Sequence, residues 1–320
     1  GEGAGVVLDS GAVSDLAEEF YVVARAGLEA LRLEELALRP QLREALLEFG
    51  RVYGLDAQVF IVRSPGRVNL MGRHVDHRGG HNNLMAINRE VVMVVEPRDD
   101  YNVALHNLDY RTFKFRTFNI GEEIAGLEWD DWLTAINSEK VIAMVRAAAG
   151  DWANYIKAAA LRLQEKFRDH RLRGMNILVS GNIPRAAGLA SSSAVVVCAA
   201  EASLYLNGLQ FSPEEFVEFC GTAEWYVGTR GGAGDHAAIK FSRQGFLCHV
   251  AFFPLGVELI PFPEDYRVVI CNTGVLAQKA AGARDLFNQR VAAYEIGLLL
   301  IKERFPHFAP RLQHLRDLNA

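Results

Sequence analysis

Three consecutive serines stand where a stretch of small residues meets a long apolar run, and this arrangement could bind an anion. The stretch NIPRAAGLASSS covers residues 182–193, and an alanine- and valine-rich run follows it. The first amides of a helix have no partner within that helix, and they lie at the positive end of its dipole. Such amides bind phosphate readily. The alternative is that a serine simply caps a buried helix.

Two further stretches combine glycines with charged residues. Residues 63–88 hold four glycines and four arginines between two apolar runs, and residues 228–238 read GTRGGAGDHAA. A plain connection does not need so many polar and flexible residues, so both stretches are candidate functional loops. Taken singly, Asp235 could close a turn and His74 could be a surface residue. The Walker A ending GK[ST] and the HExxH motif are both absent, so a phosphate loop here belongs to another family.

The surrounding pattern predicts the elements that position these stretches. Runs of apolar residues predict strands at 58–62, 89–96, 175–180 and 267–271. Apolar residues at helical spacing predict helices at 13–53, 213–227 and 284–304. Ser212 followed by Pro213 is typical of a helix start. The irregular order of strands and helices favours a mixed α+β fold over a doubly wound sheet.

Composition excludes several classes of protein. The chain has 320 residues, half of them hydrophobic, and a net charge of −5. This length predicts two lobes. The negative net charge argues against nucleic acid as a partner. The four cysteines are far apart and form no CxxC, so we expect small buried residues in a reducing cytoplasm. No apolar run approaches membrane-spanning length and no signal peptide opens the sequence, which predicts no membrane partner.

Four segments resemble, in order, motifs of the galactokinases, which belong to the GHMP kinase superfamily. They are SPGRVNLMGRHVDHRGG at 64–80, DWANYIKAAALRL at 151–163, IPRAAGLASSSA at 183–194 and GTAEWYVGTRGGAGDH at 221–236. One short match carries little information, but four in the family's order make a chance match improbable. The resemblance implies ATP-dependent phosphorylation of the anomeric hydroxyl of galactose or a galactose-like sugar.

The resemblance also implies a fold. It is the two-lobed α+β GHMP kinase fold, with a ribosomal protein S5 domain 2-like N-terminal lobe and a ferredoxin-like C-terminal lobe. The implied boundaries are an N-terminal helical extension at 1–40, the N-terminal lobe at 41–240 and a partial C-terminal lobe at 241–320. The family's third motif, a glycine-rich loop near the C-terminus, is missing from the sequence. We therefore expect that further residues complete the C-terminal lobe in the working protein.

Residue roles follow from the resemblance as well. Asp235 would accept or orient the proton of the attacking sugar hydroxyl, and Arg67 would pair with this aspartate. Ser192 and Glu224 would hold Mg²⁺, which takes few protein ligands. The ATP phosphates would lie on Ala187, Gly188, Leu189, Ala190, Ser191, Ser192 and Ser193. The sugar would be bound by Arg73, His74, Asp76 and Arg284.

The sequence departs from the family's pattern at several positions. Ala186, Ala187 and Ala190 replace residues that are usually glycine or serine. Because alanine adopts a positive φ only at a cost, these alanines predict a right-handed backbone in the phosphate loop. His77 stands where tyrosine is usual, and His236 follows Asp235 where glutamine is usual.

Arg73 makes the choice of sugar an open question. In galactokinases a glutamate at this position accepts a hydrogen bond from the 6-hydroxyl of the sugar. An arginine there, with Arg284 and Lys279 nearby in sequence, would suit a hexuronate such as galacturonate. The alternative is that Arg73 turns away to pair with Asp76 or another carboxylate and leaves a site for a neutral sugar.

Two other classes of protein remain open. One is a catalytically silent sensor that binds sugar and ATP; the intact serine run and Asp235 argue against it. The other is a different GHMP small-molecule kinase, such as a homoserine or mevalonate kinase. The helix at 151–163 and the HVDH sequence at 74–77 argue against that class.

Overall fold

A computed structural model of the chain describes residues 40–55, 57–125, 131–271 and 281–318, with residues 281–284 described as backbone only. The predicted N-terminal helical extension lies almost entirely outside these residues. Strands and helices alternate irregularly along the described chain, which confirms the predicted mixed α+β class. No helix in these ranges is both long enough and apolar enough to cross a membrane.

The helices and strands are numbered in chain order. The helices are α1 Pro40–Tyr53, α2 Ile120–Ile124, α3 Trp132–Asn137, α4 Glu139–Ala147, α5 Ala153–Lys166, α6 Ser191–Leu206, α7 Pro213–Glu224, α8 Gly234–Phe241 and α9 Ala281–Arg304. The strands are β1 Phe60–Met71, β2 Asn82–Pro97, β3 Asn102–Asn107, β4 Arg116–Asn119, β5 Met175–Gly181, β6 Phe246–Ala251 and β7 Gly256–Pro261. Single turns of 3₁₀ helix lie at Asp76–Arg78, Trp225–Val227, Ala309–Arg311 and Leu315–Asp317.

The seven strands of the described residues form one sheet, in the order β4-β3-β5-β2-β6-β7, with β1 paired to β2. The pair β3–β5 is parallel and the other pairs are antiparallel. Strand β2 bonds to β5 along its second half and to β6 at its start. Strands β6 and β7 come from the region predicted as the partial C-terminal lobe, so the sheet continues across the predicted boundary at residue 240.

The core explains why β2 contains the unbroken apolar run VVMVV. Val91, Met93 and Val95 face the main core, to which the buried sides of α5 and α6 contribute. Val92 and Val94 face the opposite way, into a smaller cluster with α1. Because both faces of this strand are covered, it does not show the polar alternation of a half-exposed strand.

Two sequence predictions need correction, and one holds. Strands β1 and β2 extend further into residues 63–88 than predicted, so the connecting loop shrinks to residues 72–81. The predicted strand at 267–271 does not form, and Val269 and Cys271 are exposed. An apolar run becomes a strand only when it can pair with a neighbouring strand, and no described strand lies beside this one. The helix start at Ser212 is confirmed, since this serine forms a capping box with Glu215.

Candidate active site

The two residues predicted to carry the chemistry, Arg67 and Asp235, form a direct ion pair. Arg67 Nε donates to Asp235 Oδ1 over 2.7 Å, and Nη2 lies 2.5 Å from the same oxygen. The Arg67 side chain is 11% exposed and that of Asp235 is 32% exposed, so the carboxylate is the more accessible partner. Arg67 follows an irregularity in the β1 pairing, which re-aims side chains. Asp235 lies in the first turn of α8, where the helix dipole favours a carboxylate.

The same arginine also holds the serine-containing loop. Arg67 Nη1 donates to the carbonyl oxygen of Gly188 over 2.6 Å, and the backbone N–H of Arg67 donates to the carbonyl of Leu189 over 3.1 Å. Gly66 permits this approach, because a Cβ there would lie 2.9 Å from the Leu189 oxygen. These contacts place Asp235 beside the predicted phosphate loop.

The prediction that this loop is right-handed at its alanines is wrong for two of them. Ala186 has φ of 51° and Ala190 has φ of 61°, a region that costs a residue with a Cβ about 1–2 kcal/mol. Ala190 occupies the N-cap position of α6, and no side chain caps the helix there. The alternative that a serine caps α6 is therefore also wrong. The uncapped first turn presents its amides to the loop, as an anion site requires.

Glu224 lies near the serines and contacts the neighbour of the predicted one. Ser193 Oγ donates to Glu224 Oε2 over 2.8 Å. His236 Nε2 lies 3.0 Å from the same oxygen, but without the alignment of a hydrogen bond. Ser192, the predicted metal ligand, precedes Ser193 in the first turn of α6. The structure thus places a carboxylate and a serine hydroxyl together at the end of the phosphate loop.

Asp76 connects the first motif to the loop that carries Asp235. Its Oδ2 accepts a hydrogen bond from the Gly234 N–H over 3.1 Å, and the residue is 9% exposed. Burial raises the pKa of the Asp76 carboxyl, but the neighbouring His77 ring and the Gly234 N–H outweigh burial and lower this pKa overall. Asp76 is therefore a carboxylate at neutral pH, and a carboxylate is a good acceptor for a sugar hydroxyl.

The predicted sugar ligands Arg73 and His74 lie on the turn before Asp76, opposite α9. His74 has φ of 60°, and its ring meets that of Phe287 at a centroid distance of 5.1 Å. Arg73 is exposed. Arg284 lies in the first turn of α9 with its side chain outside the described part of the structure, and Lys279 lies outside the described residues altogether.

Helix α9 contributes residues to this region that sequence reasoning missed. Phe287, Arg290, Val291 and Tyr294 line a pocket together with the turn that carries Arg73. Their spacing of three, four and seven residues marks one face of a helix, so this face was visible in the sequence. The sequence did not show what this face of the helix would contact.

Two other missed residues hold the loops of the site. Asn288 Nδ2 donates to the Gly228 carbonyl over 2.7 Å, and its Oδ1 accepts from the Arg230 N–H over 3.0 Å. Arg316 donates to the carbonyl oxygen of Gly79 over 3.0 Å, and to those of Phe252 and Phe253. Nothing in the sequence around Arg316 indicates this role, because it depends on where the C-terminal segment lies.

Known protein families match two parts of the chain. Residues 154–243 match the family described as GHMP kinases N terminal domain, and residues 47–97 match the galactokinase galactose-binding signature. The chain is 28% identical over 282 residues to a galactokinase of Chloroflexus aurantiacus, covering 86% of this chain and 64% of that protein. It is 32% identical over 263 residues to a galactokinase of Candida parapsilosis, covering 80% of this chain and 48% of that protein.

A solved structure shows the same fold. The galactokinase of Lactococcus lactis, in complex with galactose, superposes with a TM-score of 0.65 at 22% identity, covering 87% of this chain and 65% of that one. The chain thus spans about half to two thirds of the length of these relatives. The matched signature contains the Arg67 and Asp76 segments, and the matched domain contains the serine loop, Glu224 and Asp235. The chain thus carries the GHMP kinase N-terminal domain and the galactokinase galactose-binding signature, and it is similar to galactokinases over most of its length.

Proposed function

We propose that the protein transfers the γ-phosphoryl group of ATP to the anomeric hydroxyl of galactose or a galactose-like sugar. The observation that carries this proposal is the ion pair between Arg67 and Asp235, whose guanidinium group also contacts the Gly188 carbonyl of the serine loop. One side chain thereby joins a candidate base to a candidate phosphate site. The galactokinase relatives supply the substrate class.

The roles of the residues follow from the contacts of this pair. Asp235 accepts or orients the proton of the sugar hydroxyl as that oxygen attacks the phosphorus. Arg67 pairs with the Asp235 carboxylate and adds positive charge beside the transferred group. The uncapped first turn of α6 holds phosphate oxygens. Asp76 accepts a hydrogen bond from a second sugar hydroxyl and so fixes the orientation of the ring.

The donor set near the serines fits Mg²⁺. Within the described ranges, no group of three or more His, Cys, Asp and Glu residues is arranged to hold a metal by itself. An ion here would rest on Glu224 and a serine hydroxyl, with phosphate oxygens and water completing the set, which is how Mg²⁺ is usually bound. It would neutralise charge on the phosphates of ATP. The cytoplasmic location is a further part of the proposal and rests on the widely spaced cysteines.

A direct assay of phosphoryl transfer tests the proposal. ADP release and sugar phosphate are measured with Mg²⁺, ATP and a panel of neutral sugars and uronic acids. We expect turnover with a galactose-like sugar and a loss of about 100-fold or more in Asp235→Asn, the usual scale for a general base. Asp169→Asn, an exposed aspartate beyond α5, is the matched control and should keep full activity.

The sensor class predicts a different result. A sensor would bind sugar and ATP and release no sugar phosphate, in the wild type as in Asp235→Asn. Turnover that is equal in wild type and Asp235→Asn would show that Asp235 is not the base.

A further inference from the structure

A small, strongly basic pocket lies between the turn at residues 73–78 and helix α9. Its cavity is about 230 Å³, and it is lined by Arg73, His74, His77, Arg78, Phe287, Arg290, Val291 and Tyr294. None of these eight lining side chains carries a carboxylate. Three guanidinium groups without an acid among them create a positive potential that attracts an anion.

Two of the three arginines are available to a ligand. Arg73 and Arg290 are both exposed, and no carboxylate of the described chain pairs with either of them. The alternative that Arg73 pairs with Asp76 or another carboxylate is therefore not what the described residues show, and the Asp76 carboxylate accepts a hydrogen bond from the Gly234 N–H. Arg78, in contrast, donates to the His74 carbonyl and lies 4.0 Å from the centroid of the Tyr294 ring.

His77 lines the same pocket, with its ring beside the Asp76 carboxylate. Both of its ring nitrogens are buried without a hydrogen-bond partner among the described residues. Its Nδ1 lies 3.5 Å from Asp76 Oδ1, beyond a normal hydrogen bond. Because these nitrogens are not exposed to the cavity, His77 helps to shape the pocket and is not one of the groups that would bind a ligand.

The pocket lies next to the candidate base, because His74 lines it and Asp76, two residues further on, accepts a hydrogen bond from Gly234, the neighbour of Asp235. Burial and the neighbouring Arg73 lower the pKa of His74, and the charges of Asp76 and Asp235 oppose this shift. All three charged groups therefore act on one ring that lines the pocket. The cavity is smaller than the roughly 300–1,000 Å³ typical of drug-sized ligands. It admits part of a monosaccharide and excludes a nucleotide.

We propose that the sugar substrate carries a carboxylate, as a hexuronate such as galacturonate does, and that Arg73 and Arg290 bind this group. The inference rests on the proposed sugar kinase function and narrows its substrate. A carboxylate accepts paired hydrogen bonds from guanidinium groups and balances their charge. A neutral hydroxymethyl group in the same place would leave both charges unbalanced.

Binding without ATP tests the inference independently of catalysis. Isothermal titration calorimetry on the full protein measures the Kd of galacturonate, galactose and galactose 6-phosphate. We expect galacturonate to bind about ten-fold or more tighter than galactose, the scale of one charge-assisted hydrogen bond. Arg73→Gln and Arg290→Gln should each weaken galacturonate about ten-fold and leave galactose within about two-fold. Arg304→Gln, at the far end of the same helix, is the control and should change neither.

Each outcome decides the question. Equal or tighter binding of galactose, no binding of galacturonate, or a preference that survives the double variant Arg73→Gln/Arg290→Gln would overturn the inference. Tighter binding of the 6-phosphate than of galacturonate would also overturn it, in favour of a phosphorylated sugar. Selective binding of galacturonate without phosphoryl transfer would support the pocket's assignment while refuting the kinase proposal, so the two fail separately.

Discussion

A single guanidinium group, that of Arg67, contacts both the candidate base and the phosphate loop. Its Nε and Nη2 face Asp235, and its Nη1 faces the carbonyl of Gly188. Lysine has one compact ammonium group and cannot reproduce this fork. The sequence identifies the residue through its motif, but only the structure shows that it also positions the loop.

Glu224 is the single residue that we expect to set the Mg²⁺ dependence of the reaction. Glu224→Gln keeps the shape of the side chain and removes the charge that would attract Mg²⁺. We expect the Mg²⁺ concentration for half-maximal rate to rise about ten-fold or more, because Mg²⁺ depends on carboxylate ligands. The KM for the sugar should change by less than about two-fold. The measurement is the initial rate across a Mg²⁺ titration at saturating ATP and sugar.

The control for this variant is Glu218→Gln, an exposed glutamate on the same helix α7. It should leave both the Mg²⁺ and the sugar dependence unchanged. A change in the sugar KM alone would place Glu224 in the sugar site instead.

At the scale of an element, the connection from β5 to α6 stores backbone strain at its alanines. A glycine at position 190 would adopt the φ of 61° freely. Ala190→Gly relieves about 1–2 kcal/mol of strain and loses about 0.4–1 kcal/mol to the greater entropy of the unfolded chain. We therefore expect an unchanged or higher free energy of unfolding in a denaturant titration.

Ala143→Gly provides the matched comparison. Ala143 is exposed in α4, and glycine inside a helix costs about 1 kcal/mol relative to alanine. The changes that these two alanine-to-glycine substitutions cause in the free energy of unfolding should therefore have opposite signs or differ by about 1 kcal/mol. Equal destabilisation by both would mean that Ala190 is not left-handed in solution.

The packing of two loops gives a second prediction at this scale. A Cβ at Gly232 would lie 2.3 Å from Asp76 Cγ, whereas a Cβ at Gly231 would meet nothing within 4 Å. Gly232→Ala therefore pushes Asp76 away from Gly234, and a displacement of about 1 Å at such a site can cost about 100-fold in rate. We expect kcat/KM for the sugar to fall by at least ten-fold in Gly232→Ala.

Gly231→Ala tests whether the loop tolerates any side chain. Its kcat/KM should stay within about two-fold of the wild type, because the added methyl group has space. Matching losses in both variants would mean that the loop responds to rigidity rather than to the contact with Asp76.

At the scale of the whole molecule, Arg316 connects the C-terminal segment to the loop at residues 72–81, which holds the predicted sugar ligands. It donates to backbone carbonyls in the 72–81 loop and in the β6–β7 turn. Arg316→Gln removes the charge and most of these bonds, and hydrogen bonds of charged groups contribute about 1.5–3 kcal/mol each. We expect the free energy of unfolding to fall by about 2 kcal/mol and the KM for the sugar to rise.

Thermal unfolding and steady-state kinetics measure the two effects of Arg316→Gln together. Arg311→Gln, an exposed arginine in the same C-terminal segment, should show neither. If Arg316→Gln lowered the stability without raising the KM for the sugar, Arg316 would stabilise the fold without positioning the loop at residues 72–81.

The local sequence pattern was sufficient to predict many of the strands and helices of this protein and the family it resembles. Apolar runs located the sheet strands around the site, and helical spacing located most of the helices, because burial on one or two faces imposes a period on the sequence. Four ordered motifs indicated the family, and they named Arg67, Asp76, Glu224 and Asp235 as site residues.

The tertiary structure decided what no local pattern contains. The ion pair of Arg67 and Asp235 joins residues 168 positions apart, and the basic pocket needs α9 to lie against the turn at 73–78. The left-handed alanines reverse the local preference of the residue, because contacts on both sides of the loop fix its path. The apolar run at 267–271 stays unpaired among the described strands, because a strand depends on its neighbour and not on its own composition.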